Sequence, residues 1–246
     1  MLQRDVVPGV HRVEDAKTNW YIIEADDGIT VVDAGLPASW GSLGWALNDI
    51  GRPASDIRAI VLTHAHFDHV GFARRAQQEL GVPVLCHEAD HELARHPLRY
   101  KNERSRLFYL WNPKGAAIIA QMVAAGALWA KGPERLGTLD VDGALPLPGR
   151  PRAIATRGHT FGHVSLHLAD RDVVIAGDAI VMLDPYTGKT GPRLVARAAT
   201  ADVALNLASL DAIAQTGARV VLTGHGEPWT GGAQEAAQRA HAAGAA

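Results

Sequence analysis

Cysteine is almost missing from this chain, and so are blocks of like charge and long apolar stretches. With Cys86 as the one cysteine, no internal disulfide can form. Its strand-like setting at 82–86 marks it as a buried apolar filler, in keeping with a reducing compartment. The formal net charge is −2 and no basic block stands out, so neither nucleic acid nor an anionic membrane is expected as a partner. The N-terminal residues lack the basic-then-apolar order of a signal peptide. The longest apolar stretch, 115–130, is broken by Gln121 and flanked by Lys114 and Lys131. As a helix it reaches about 24 Å, short of a bilayer core of roughly 30 Å. A soluble, cytoplasmic protein is the expectation. There is also no G-x-S-x-G, the turn that presents a serine nucleophile in many hydrolases.

What is present is an ordinary globular composition, 47% apolar and 20% charged over 246 residues, enough to bury one large core or two fused ones. Short β-rich runs at 20–24 and 29–33 flank the turn signal Asp26-Asp27-Gly28. A helix at 43–50 stops at Gly51, with Pro53 just beyond. The apolar run 58–63 is too short for a helix and predicts a buried strand, followed by a helix over 70–80. Between 89 and 139 the character changes to two or three helices interrupted at Pro97, Pro113 and Pro133, with no strand signal. This stretch looks like a helical insertion between two β-rich halves of a single domain spanning 1–246. Strands return at 152–155, 164–168, 173–176 and 219–223, with helices at 201–215 and 234–243.

Four apolar runs end in residues able to bind metal. The run 59–63 leads into His64-Ala65-His66-Phe67-Asp68-His69, 153–156 leads to His159, 173–177 to Asp178, and 220–224 to His225. If the strands share a common sense, their ends gather at one edge, where sites are built on loops held by a rigid scaffold. Glycines 158, 177 and 224 precede three of these residues, where tight turns or close backbone approach are expected. In an extended segment residues two apart point the same way, so His64 and His66 can grip one ion. Asp68 and His69 lie where the chain turns, which points to a second ion. Five imidazoles and two carboxylates suit zinc, with iron or manganese also accommodated. Asp178 is the natural carboxylate to bridge two ions. A chance H-x-H-x-D-H has a probability on the order of 10⁻⁵ per starting position.

These segments resemble the metallo-β-lactamase superfamily, and especially its glyoxalase II-like hydrolases. The matching blocks are Thr63 to Gly71, Gly158-His159-Thr160-Phe161-Gly162-His163, Gly177-Asp178 and Gly224-His225-Gly226, with Val31-Val32-Asp33-Ala34-Gly35 similar to the family's first acidic turn. The resemblance implies an αββα sandwich in the α/β class. It implies that His64, His66 and His159 hold one metal, that Asp68, His69 and His225 hold the other, and that Asp178 bridges them. Asp33 is then a supporting acid. The implied reaction is attack of a hydroxide shared by two Zn2+ ions on the carbonyl of a small ester, thioester or lactone, with Asp68 moving the proton.

Departures from the family narrow this. Asp178 is unlike the true β-lactamases of the fold, and His66 stands where the oxygen-reducing diiron relatives carry glutamate. The stretch after His225 is too short for the helical domain with which glyoxalase II binds glutathione. The tyrosine of acyl-homoserine lactonases, three residues after the bridging aspartate, is Val181 here, with Tyr186 a candidate substitute. A mononuclear iron persulfide dioxygenase and a non-catalytic metal-binding protein are the alternatives. His163 reads as a supporting group, and His87, His91 and His96 as exposed helix residues. Trp111 and Trp129 either pack the insertion onto the body or line an apolar pocket over the metals.

Overall fold

The computed structural model describes residues 1–141 and 143–246. The first sheet has seven strands in chain order: β1 (Leu2–Val7), β2 (Val10–Asp15), β3 (Thr18–Ala25), β4 (Gly28–Val32), β5 (Ile57–Val61), β6 (Val84–Cys86) and β7 (Gly137–Thr138). β1 to β4 run antiparallel to their neighbours, whereas β4 to β7 are parallel. A second sheet orders β8 (Arg152–Ala155), β9 (Val164–Leu168), β10 (Val173–Gly177) and β13 (Val220–Thr223) as β13-β10-β9-β8. A two-stranded ribbon, β11 (Val181–Leu183) with β12 (Thr190–Arg193), lies beside it in the chain.

The strands are apolar at successive positions because both faces of each sheet are covered. Tyr21, Ile23, Val32 and Val61 of the first sheet meet Val164, Leu166, Val173, Ile175 and Leu222 of the second in one cluster. Their alternates point the other way. Ile22, Val31 and Ile60 pack under α1 (Trp40–Asp49) and α2 (Ala73–Leu80). Val174, Ala176 and Val221 pack under α5 (Val203–Ala214) and α6 (Ala233–Ala243). The period-two alternation of a strand thus produces helix, sheet, sheet and helix layers.

Three departures from the sequence reading have local causes. α2 starts at Ala73 rather than at residue 70, because the loop after β4 claims the intervening amides. Gly71 N–H donates to Gly35 O at 2.8 Å and Phe72 N–H to Ala34 O at 3.0 Å. The β1–β2 hairpin goes unread because β1 is a half-exposed edge strand in which Gln3, Arg4 and Asp5 interrupt any alternation. The stretch 89–139 is helical, with α3 (His91–Arg95), α4 (Pro113–Ala124) and short 3-10 turns, yet it ends on β7, which extends the first sheet. No helix among the described residues is long and apolar enough to cross a membrane.

Two side-chain expectations in this region also change. His87 is buried rather than exposed on a helix: its Nδ1 accepts from Ala89 N–H, capping a 3-10 turn. His91 is half-buried with Nε2 on Cys86 O at 3.1 Å, so of the three only His96 faces solvent. Trp111 and Trp129 neither pack onto the body nor line a pocket, being 92% and 69% exposed.

Candidate metal centre

β8, β10 and β13 run in one sense, because β9 is antiparallel to both β8 and β10 while β13 is parallel to β10. Their C-terminal ends deliver His159, Asp178 and His225 to the same edge of the sandwich, where β5 delivers the segment His64 to His69. The structure brings all seven residues together, and all seven are buried. Three sets of possible ligand atoms each lie within 4.8 Å: His64, His66 and His159; His64, His69 and Asp178; Asp68, His69 and His225. Asp178 sits among them. Its Oδ2 lies 3.3 Å from His225 Nε2, 3.5 Å from His159 Nε2 and 4.0 Å from His64 Nε2, while Oδ1 lies 3.8 Å from His69 Nε2. Asp68 Oδ2 is 3.4 Å from His225 Nε2 and 3.9 Å from His69 Nε2.

Gly224 allows this convergence. A Cβ there would stand 2.0 Å from Asp178 Oδ1 and 2.7 Å from His69 Cε1, so no other residue fits without moving two members of the cluster. Gly177 adopts a left-handed φ of +53° to turn the chain from β10 into Asp178.

The outer nitrogens of the histidines show which way each ring is set. Carboxylates and carbonyls only accept, so a ring nitrogen facing one must carry the proton. His69 Nδ1–H donates to Asp33 Oδ2 at 2.9 Å and His225 Nδ1–H to Lys17 O at 2.7 Å. Asp33 also accepts from Thr63 N–H at 2.7 Å and from Thr63 Oγ1–H at 2.8 Å. With its proton so committed, Thr63 Oγ1 accepts from His64 Nδ1–H at 3.0 Å. The Nε2 lone pairs of His64, His69 and His225 are therefore turned inward. His163 is set the other way: its Nε2 accepts the backbone N–H of Asp178 at 2.9 Å, and Nδ1 faces Thr156 Oγ1. It holds Asp178 in place and has no free lone pair for an ion.

The donor set fits divalent metal. The buried atoms His64 Nε2, His66 Nε2, His69 Nε2, His159 Nδ1 and Asp178 Oδ1 find no hydrogen-bond partner, and orphaned buried polar atoms are costly unless something else satisfies them. His66 Nδ1 and His159 Nε2 stand 2.9 Å apart. Ligands about 2.0–2.2 Å from a tetrahedral zinc lie about 3.4 Å from each other, close to the spacings around Asp178. Burial pushes His64 and His159 well below the ordinary imidazole range and His66 down to about 4, so these three are neutral and ready to ligate. Burial also lowers His69, but Asp33, Asp68 and Asp178 outweigh it and raise it to about 9. His225 is likewise raised, against burial, by Asp178 and Asp68. Burial works to raise Asp178, yet His225 and His69 hold its carboxyl far below the usual range.

The space beside these residues is small, about 10 Å³ bordered by His66, Asp68, His159, Asp178 and His225, roughly what one water occupies. Two larger spaces adjoin it. One of about 260 Å³ reaches His66 and His159 past Arg99 and Lys101. The other is an apolar chamber of about 500 Å³ between α4 and the turns of the insertion. Phe67, Tyr100, Ile119, Met122 and Tyr186 form the wall shared by the chamber and the ligand cluster.

Three positions that brace the cluster escaped the sequence reading. Asp90 accepts from Ala65 N–H at 3.1 Å, Thr160 Oγ1–H at 2.6 Å and Gly162 N–H at 2.8 Å, tying the first histidine segment to the His159 loop. Thr63 relays between Asp33 and His64. Tyr100 packs at a tilt against His66 with centroids 4.3 Å apart and shares a 2.7 Å hydroxyl bond with Tyr186. Tyr186 thus reaches the site from the loop after β11, while Val181 is a buried strand residue.

A family model described as the metallo-beta-lactamase superfamily matches residues 13–225. Among curated proteins the chain is 28% identical over 243 residues to the Bacillus subtilis (strain 168) protein named Probable metallo-hydrolase YflN, covering 92% of this chain and 87% of that one. It is 28% identical over 166 residues to Probable metallo-hydrolase YqgX of the same organism, covering 67% and 66%. Among solved structures, the metallo-beta-lactamase family protein TTHA1429 from Thermus thermophilus superposes with a TM-score of 0.68 at 26% identity, over 96% of this chain and 79% of that one. TTHA1623, solved in a di-iron-bound form, superposes with a TM-score of 0.60 at 24% identity, over 89% and 92%. With the fold, the ligand edge and a match over most of its length in agreement, this chain belongs to the metallo-beta-lactamase superfamily.

Proposed function

We propose that the chain is a metal-dependent hydrolase that uses two divalent ions, zinc first among them, to cleave an ester, thioester or lactone. The observation that carries this reading is the pair of adjoining ligand sets, both facing Asp178, with five of their buried polar atoms otherwise unpartnered. His64, His66 and His159 would hold one ion, Asp68, His69 and His225 the other, and Asp178 would face both. Such ions, when bound, lower the pKa of a water towards about 7 and polarise a carbonyl oxygen.

The chain's own groups do the rest. Asp68, whose carboxyl His69 and His225 hold below its usual range despite burial, is the acceptor that passes the proton of the attacking water to the leaving group. Burial raises the Tyr100 and Tyr186 phenols, so both stay protonated. One O–H is consumed in the bond between them, and the other is free to donate to a substrate oxygen beside the ligands. The names of the Bacillus metallo-hydrolases support hydrolysis. The di-iron form of TTHA1623 supports two ions and leaves iron as an occupant of such a fold.

A mononuclear iron dioxygenase would leave the Asp68, His69 and His225 set without a task. Elemental analysis of freshly purified protein, run beside an ester, thioester and lactone panel and an oxygen electrode with glutathione persulfide, tests the reading. Close to two metal ions per chain with hydrolysis and no oxygen uptake is expected. One tightly held iron with rapid oxygen uptake and no hydrolysis would overturn it.

A further inference from the structure

The stretch 97–131 differs from the rest of the surface in two ways at once. It carries six Lys or Arg (Arg99, Lys101, Arg104, Arg106, Lys114 and Lys131) against a single acid, Glu103, in a chain whose net charge is −2. The neighbouring carboxylates are engaged elsewhere, Glu92 with Arg95 and His96 and Glu103 with Arg197. It also carries most of the exposed large apolar side chains of the molecule. Beside Trp111 and Trp129, the residues Leu107, Phe108, Leu110 and Leu128 are each more than half exposed. Patches of this kind on a folded surface mark interaction sites.

The two segments that bear them meet at one place. Leu110, from the turn before α4, and Leu128, from the turn after it, both line the 500 Å³ apolar chamber, and each is followed in the chain by one of the exposed tryptophans, Trp111 and Trp129. Arg104 lies over the Phe108 ring at 4.6 Å and Arg106 over the Tyr100 ring at 4.0 Å, their charged ends held at the edge of apolar surface. Tryptophan beside Lys and Arg around an apolar face is the composition of elements that lie in a membrane interface.

We infer that this insertion docks on an anionic lipid surface and that the chamber behind it takes the aliphatic chain of an amphiphile drawn from that surface. A second copy of the chain is the competing occupant. A two-fold contact over this patch would bring the cations beside the tryptophans of each copy together, and like charges at an interface cost affinity. An anionic bilayer instead meets those charges with opposite ones, each Lys or Arg near the surface strengthening partitioning by roughly fivefold. The docking stands on its own observations. That the amphiphile is also the substrate, an acyl ester or thioester with its carbonyl at the ligand cluster and its chain across the Tyr100 and Met122 wall, rests on the hydrolase reading above.

The test is co-sedimentation of the purified, metal-containing protein with phosphatidylglycerol vesicles and with phosphatidylcholine vesicles, at low and high salt. Hydrolysis of butanoyl, octanoyl and dodecanoyl thioesters is measured in parallel. Binding to the anionic vesicles, weakened by salt and accompanied by a blue shift of tryptophan emission, is expected. Trp111→Ser with Trp129→Ser should abolish the shift, and Lys114→Glu with Lys131→Glu should lower partitioning by roughly tenfold or more for each reversal. All four side chains are exposed, so the variants should keep the wild-type Tm. Activity should rise by roughly fourfold per methylene until the chamber is full. Absence of binding to anionic vesicles at low salt, equal binding by the variants, or a lipid-free dimer that buries the tryptophans would each overturn the docking, even with hydrolysis intact. Vesicle binding with no hydrolysis of any thioester or ester would leave the docking standing and refute the hydrolase reading instead.

Discussion

Replacing Asp33 by Asn tests whether the outer hydrogen bonds of the cluster set its metal affinity. Asp33 is buried, and both of its oxygens are in use: Oδ1 accepts from Thr63 N–H, and Oδ2 accepts from Thr63 Oγ1–H and His69 Nδ1–H. An amide can keep only one of these two arrangements. With its NH2 at the Oδ1 position it opposes the Thr63 amide donor 2.7 Å away, leaving a buried donor unsatisfied at about 1–3 kcal/mol. With its NH2 at the Oδ2 position it serves Thr63 Oγ1 but meets the His69 Nδ1 proton, so that ring must move its proton to Nε2. Either orientation weakens the set, and the second blocks the inward lone pair of His69. Loss of such an outer partner reduces metal affinity by about 10- to 100-fold. Competition against a chromophoric chelator, read beside Tm of the metal-stripped protein, is the assay. The expected result is one ion weakened by that factor while the other is held normally. The φ of +62° at Asp33 is a conformation that Asn tolerates, so a folded variant is expected. Wild-type affinity for both ions in such a variant would refute the account of His69.

Two further outcomes follow from the same geometry. Gly224→Ala places a methyl 2.0 Å from Asp178 Oδ1, an overpacking of about 1–3 kcal/mol; metal content by elemental analysis should fall together with Tm, and a variant with full metal and unchanged Tm would show that the close approach is not required. Burial lowers His69, but three aspartates raise it from an ordinary 6.5 to about 9, so in the metal-stripped protein its protonation stabilises the fold fully below pH 6.5 and less as pH rises through 9. A metal needs the neutral ring, hence metal affinity should climb between pH 6.5 and 9 with proton release at about pH 7, and a pH-independent Kd over that range would be the contrary result.

The candidate ligands were legible in the sequence because they follow apolar runs, and a run of that kind buried on both faces becomes a strand whose end is a fixed point. Three such ends from β8, β10 and β13 and a fourth from β5 have to meet once the strands share a sense, and the glycines at 177 and 224 announce how tightly. The groups that orient the ligands were less legible. Asp90 lies in a polar stretch after β6 with no periodicity around it, and its partners Ala65, Thr160 and Gly162 are 25 to 72 residues away. Tyr100 and Tyr186 meet across 86 residues, a distance over which no local pattern carries information. The two tryptophans differ from expectation for another reason. An apolar residue in an apolar segment is ordinarily buried, and the exception is visible only when the segment's own surroundings are known.

Whole-chain charge says little about any one face. Net charge bears on long-range attraction only over a Debye length, about 8 Å at physiological salt, so a surface senses the charges near it and not the sum over 246 residues. A balance of −2 therefore coexists with a stretch in which six cations face a single acid. Counted over the insertion alone, the same sequence points towards an anionic partner, and the exposed tryptophans on either side of α4 say that the partner is also apolar. On the proposed docking, the segment that contributes none of the seven candidate ligands is the one whose composition bears most on what reaches them. The two sheets set the edge where the candidate ligands gather, and on the proposed docking the inserted residues stand between that edge and the lipid surface.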